Sequence, residues 1–192
     1  MRASRIAEIL SAATRLPLLA VPLFFVVGFY AAGWEGVAWA VVCVLLTSGL
    51  SLAYLRHLVR TGKVEDPGRI LKAERVRPLW VVAGFHAGAW ALVSALGGPA
   101  ELRAVLLSYA LSTVAFALIT PLAKLSLHAA GAAGVLVCLV RVFGPVGGVF
   151  IPLFLAICWS RAALGRHTAA ELALGTLVGG IGTWVAFAHM VA

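Results

Sequence analysis

Near the end of the chain stand Ser160-Arg161, five residues, His167, three residues and Glu171. An arginine fork matches the geometry of phosphate oxygens. A histidine held by a carboxylate is a nucleophile with its orienting partner. His167 and Glu171 are four positions apart, so on a helix they share one face and the carboxylate reaches the imidazole. Arg161 as anion clamp, His167 as nucleophile and Glu171 as orienting group, with Ser160 beside them, suit covalent chemistry on phosphate.

Two further clusters carry suitable residues. The first runs Arg69-Ile70-Leu71-Lys72-Ala73-Glu74-Arg75-Val76-Arg77-Pro78; the second is Lys124-Leu125-Ser126-Leu127-His128. Singly, each reads as a basic flank or an interfacial histidine. Together they place ionisable and hydroxyl groups at one membrane border, where such groups are costly and hence functional. His57, His86 and His189 read as structural, with His86 a polar packing contact inside a span. Cys43, Cys138 and Cys158 each lie in apolar runs without zinc-ligand spacing, and read as packing residues.

The elements that must position these groups are apolar. The 192 residues are 62% hydrophobic and only 11% charged, with mean hydropathy +1.04, whereas a soluble domain carries about 25% charged residues. Seven apolar runs of roughly 17–25 residues lie at about 16–33, 36–56, 78–97, 102–122, 126–143, 145–160 and 170–190. Gly/Pro turns and charge clusters separate them. The expectation is an all-α polytopic transmembrane bundle of about six to seven spans, a single membrane-embedded domain over 1–192. Arg2, Arg5 and Arg15 precede the first run as an amphipathic lead-in to an uncleaved helix rather than a signal peptide.

With seven spans, 13 of the 15 Lys and Arg fall on the side of the N-terminus, and only Arg103 and Arg141 on the other. The positive-inside rule then places all three clusters at the cytoplasmic face of a multi-pass inner-membrane protein, with the C-terminus outside. The net charge of +8 belongs to loops facing anionic headgroups, so nucleic acid is not an expected partner.

The three clusters resemble those of the type 2 phosphatidic acid phosphatase (PAP2) superfamily, which includes the vanadium haloperoxidases. That pattern reads Lys, six residues, Arg-Pro; then Pro-Ser-Gly-His; then Ser-Arg, five residues, His, three residues, Asp. The third cluster matches except that Glu171 replaces Asp. In the second, Ser126 and His128 match, with Leu125 and Leu127 in place of Pro and Gly. In the first, Arg77-Pro78 match, Ile70 stands where Lys would fall, and either Arg69 or Lys72 supplies that charge.

The resemblance implies a phosphohistidine on His167, oriented by Glu171, with His128 as general acid and then base. Arg161, Arg77, Lys72 or Arg69, Ser126, Lys124 and Ser160 would bind the phosphate. Metal-dependent lipid phosphotransferases need clustered Asp, and Asp66 is the single Asp here, so neither metal nor cofactor is expected. The expected reaction is metal-independent hydrolysis of a membrane lipid phosphomonoester, phosphatidic acid-like or polyprenyl-linked. The alternatives are an isoprenoid diphosphate substrate, or a degenerate member that binds anionic lipid without turnover.

Overall fold

The computed structural model describes residues 2–14, 16–64 and 72–191. These residues form helices and no strand, an all-α bundle. The helices are α1 (Arg2–Ala13), α2 (Leu16–Val44), α3 (Leu50–Arg60), α4 (Lys72–Ala95), α5 (Ala100–Ile119), α6 (Leu127–Phe143), α7 (Ile151–Ala163) and α8 (Ala169–Met190). A π-helical turn over Leu45–Gly49 joins α2 to α3, and a 3-10 segment over Gly144–Phe150 joins α6 to α7.

Five helical stretches are long and apolar enough to cross a membrane: Leu18–Arg60, Val76–Ala95, Ala100–Ile119, Leu127–Ala163 and Ala169–Met190. Two of them double back. The first breaks at Ala32–Gly33, where Gly33 takes φ +56°, and across the break Gly28 and Gly36 meet so closely that a Cβ on either would strike the other's backbone carbonyl. The second turns at Gly144, φ +64°, after which Gly147 packs on the backbone of Leu139. The sequence runs 16–33 and 36–56 are thus the two arms of one hairpin, and the runs 126–143 and 145–160 the arms of another.

Three boundaries differ from those expected. The run 145–160 opens as a 3-10 segment, and its α-helix of 13 residues covers only about 20 Å. The cluster leading to Pro78 is helical from Lys72 on, so Pro78 lies inside α4. Ser160 and Arg161 end α7 instead of starting a loop, and the break before α8 is confined to 164–168.

The bundle is built around small residues. α8 lies against α5 and α6. A Cβ on Gly175 would come to 2.5 Å from the Ser126 carbonyl, and one on Gly179 would strike the Ala130 carbonyl. Glycine is what allows backbone-to-backbone contact there. Large apolar side chains such as Leu177, Ile181 and Trp184 point outward from the same helix, as expected of a surface solvated by hydrocarbon. The lead-in is helical as anticipated: α1 packs on α7, burying Ala7, Ser11 and Thr14 along one face.

Gly179→Val should break this contact, since overpacking costs about 1–3 kcal/mol and more where only backbone can yield. Thermal unfolding in detergent is expected to show a lowered midpoint for Gly179→Val and little change for Gly180→Ala, whose added Cβ meets only ordinary contacts.

Candidate functional site

The second and third clusters come together where α6 starts, α7 ends and α8 starts. Thr168 opens α8 with a capping box: its hydroxyl accepts from the Glu171 N–H, and Glu171 Oε2 accepts from the Thr168 N–H at 3.2 Å. The same Oε2 lies 3.0 Å from His167 Nδ1. His167 precedes the helix, so the pair meets across a helix N-terminus and not along one helical face as its spacing suggested. Lys124 Nζ closes the group at 3.5 Å from Glu171 Oε2, and donates to the Arg166 carbonyl at 2.8 Å. The Ser126 N–H donates to the Glu171 carbonyl, fixing α6 to α8 directly.

These bonds assign protons. The carboxylate is acceptor-only, so His167 carries its hydrogen on Nδ1 and keeps the lone pair on Nε2. His128 Nε2 lies 3.3 Å from the Ser11 backbone carbonyl, which puts its hydrogen on Nε2. Burial pushes His167 below its ordinary 6.5; Arg161 and Lys124 push the same way, while the hydrogen bond and charge of Glu171 hold it partly up. The neutral form of the ring is therefore favoured more than in a free imidazole.

Arg161 is buried, with 9% of its surface exposed. Its Nη1 donates to Ser11 Oγ at 2.6 Å, and its Nε is buried without a hydrogen-bond partner. Among the described residues no carboxylate pairs with it. The Arg161 carbonyl accepts from the Arg166 and His167 N–H groups, so the turn carrying His167 is folded onto the residue that supplies the charge.

Not every expected residue joins. Ser160 is fully buried and its hydroxyl donates to the Ile157 carbonyl at 2.7 Å, so it is committed to its own helix. Ser126 is buried as the N-cap of α6, accepting from the Ala129 N–H. Arg77 is exposed, two residues before Leu79, which packs with Leu125 and thereby brings that end of α4 to the cluster. Arg69 lies outside the described residues, and of Lys72 only the backbone is described. His86 is a packing contact: its Nδ1 lies 2.9 Å from Thr113 Oγ1, tying α4 to α5. No group of three or more His, Cys, Asp or Glu gathers among the described residues. The three cysteines are free thiols.

Sequence reasoning missed two participants. Thr168 was legible, because Thr-x-x-Glu before an apolar run is a capping-box signature. Ser11 had only a weak signal, the small residues Ala7, Ser11 and Thr14 on one face of an otherwise amphipathic helix.

Comparison of the chain with protein-family models, with curated proteins and with solved structures gives no match.

NMR titration of ring-labelled histidine in micelles should find His167 titrating below 6.5. Glu171→Gln should move it lower still, because the charge of Glu171 is one of the influences that raise it. An unchanged or higher value in Glu171→Gln would show that the pair does not form in solution.

Proposed function

We propose that the chain is a metal-independent phosphatase of a membrane lipid phosphate, working through a phosphohistidine. The observation that carries this is a buried guanidinium that pairs with no carboxylate among the described residues, linked through Ser11 to the His128 imidazole and through its own carbonyl to the turn of His167. A buried, unpaired cation is costly, and an anion that docks beside it removes the cost. The cluster resemblance to the PAP2 superfamily points to the same chemistry.

The steps follow from the atoms. His167 Nε2 attacks phosphorus, and the bond to the lipid oxygen breaks as His128, entering as the imidazolium, gives its Nε2 proton to that oxygen and is left as the neutral imidazole. Glu171 stabilises the imidazolium left on Nδ1. His128, now a base, takes a proton from water as the water oxygen attacks phosphorus, and inorganic phosphate leaves with His167 restored. Arg161, Arg77 and either Lys72 or Arg69 hold the equatorial oxygens, where electrostatic stabilisation is the main burden of phosphoryl transfer. Glu171 in place of a shorter carboxylate serves two donors with one oxygen, the ring and the Thr168 N–H.

A lipid substrate is supported by a cavity of about 350 Å³ inside the bundle, walled by Leu79, Phe116, Leu127, Ala130 and Val135. Leu127 precedes His128 directly, so the cavity reaches the end of α6 that carries His128. The distribution of Lys and Arg supports a site at the cytoplasmic face.

With EDTA present, purified protein in detergent should release phosphate from a long-chain lipid monoester, and orthovanadate should inhibit. His167→Ala should lose about three orders of magnitude or more in kcat. Restoration of a chelated enzyme by Mg²⁺, or a His167→Ala variant within a hundredfold of wild type, would contradict the mechanism. Because attack needs the unprotonated ring, kcat/KM should fall with acid only below the ordinary imidazole value of 6.5.

A C-terminal fusion in a bacterial host should be active as alkaline phosphatase and dark as green fluorescent protein. The reverse pattern would put the site outside.

A further inference from the structure

The charge best placed to hold an anion is covered, and the cover is helix α1. Ser11 reaches both working groups at once. Its hydroxyl oxygen takes the Arg161 Nη1 hydrogen at 2.6 Å, and its carbonyl oxygen lies 3.3 Å from His128 Nε2. A phosphate ester would need an equatorial oxygen on the guanidinium and its leaving oxygen at the His128 proton. Ser11 therefore sets two oxygens against the two groups that such a ligand must engage. With Arg161 only 9% exposed and its Nε already shut away from solvent, an anion cannot reach the fork while α1 is docked.

Resting on the reading of this site as an anion site, we propose that α1 is a built-in gate. Ser11 acts as an internal stand-in for phosphate, and substrate binds only as α1 is displaced. A phosphate replaces one neutral acceptor by several charged oxygens, so it outcompetes the hydroxyl for the guanidinium. The docked helix lowers the apparent affinity by the fraction of molecules that are open. The outer face of α1 has somewhere to go: Ile6 and Ile9 are exposed together with Arg5, the composition of a helix that rests in the headgroup region.

Hydrogen–deuterium exchange of the full chain in lipid nanodiscs, with and without orthovanadate, tests this without requiring turnover. At saturating vanadate the amides of residues 6–13 should exchange several-fold faster, while those of α8 stay protected. Ser11→Ala, which deletes the hydroxyl that engages Arg161, should bind vanadate about tenfold more tightly, as expected for loss of one charge-assisted hydrogen bond. Unchanged exchange in α1 at saturation, or weaker binding by Ser11→Ala, would overturn the gate and make Ser11 a fixed wall of the site. Should Ser11→Ala fail to fold, the wild-type exchange result decides alone. Vanadate binding with faster α1 exchange but no hydrolysis of any lipid phosphate would keep the gate and discard the phosphatase. A folded protein that binds no vanadate, with or without Ser11, would discard both.

Discussion

A guanidinium taken out of water at the edge of an apolar bundle needs compensation, and Arg161 donates its Nη1 hydrogen to the neutral hydroxyl of Ser11. The Arg161 charge is one of the influences that depress protonation of His167. The turn after α7 is built around the same residue, since the Arg161 carbonyl gathers the N–H groups of Arg166 and His167. Arg161 and His167 are thus fixed by one stretch of backbone.

The rest of the fold keeps the opposing half in place. Glycines at 175 and 179 let α8 approach α6 to backbone contact, which sets Ser126 against Glu171 and carries Lys124 and His128 to the site. In a bilayer the hydrophobic effect gives little help to helix association, so close packing and polar staples do this work. Lys124, expected to touch phosphate, is one of those staples. It bridges Glu171 and the Arg166 carbonyl, although that leaves its charge close enough to act on His167.

Much of this was legible in the sequence, for reasons that differ by residue. The apolar runs and their Gly breaks gave the all-α bundle, and Gly33 and Gly144 take positive φ where the chain turns. The pairing of His167 with Glu171 was found from its spacing, but it forms through a capping box. A four-residue separation brings side chains together there too. The end of α7 was misplaced because nothing between Ser160 and Ala163 stops a helix; Gly165, with φ +62°, does so later. The bond of Ser160 to the Ile157 carbonyl was not legible, because helix back-bonding leaves no pattern in residue types. Ser11 meets Arg161 across 150 positions, and no local period records a contact of that range.

The most direct test is capture of the covalent intermediate. Protein mixed with excess lipid phosphate and quenched in base within one turnover should carry one phosphate on the peptide containing His167, stable to alkali and lost in acid, and Glu171→Gln should alter how fast it appears. Steady hydrolysis with no phosphate on His167 at any quench time, or phosphate found on a serine instead, would contradict the account.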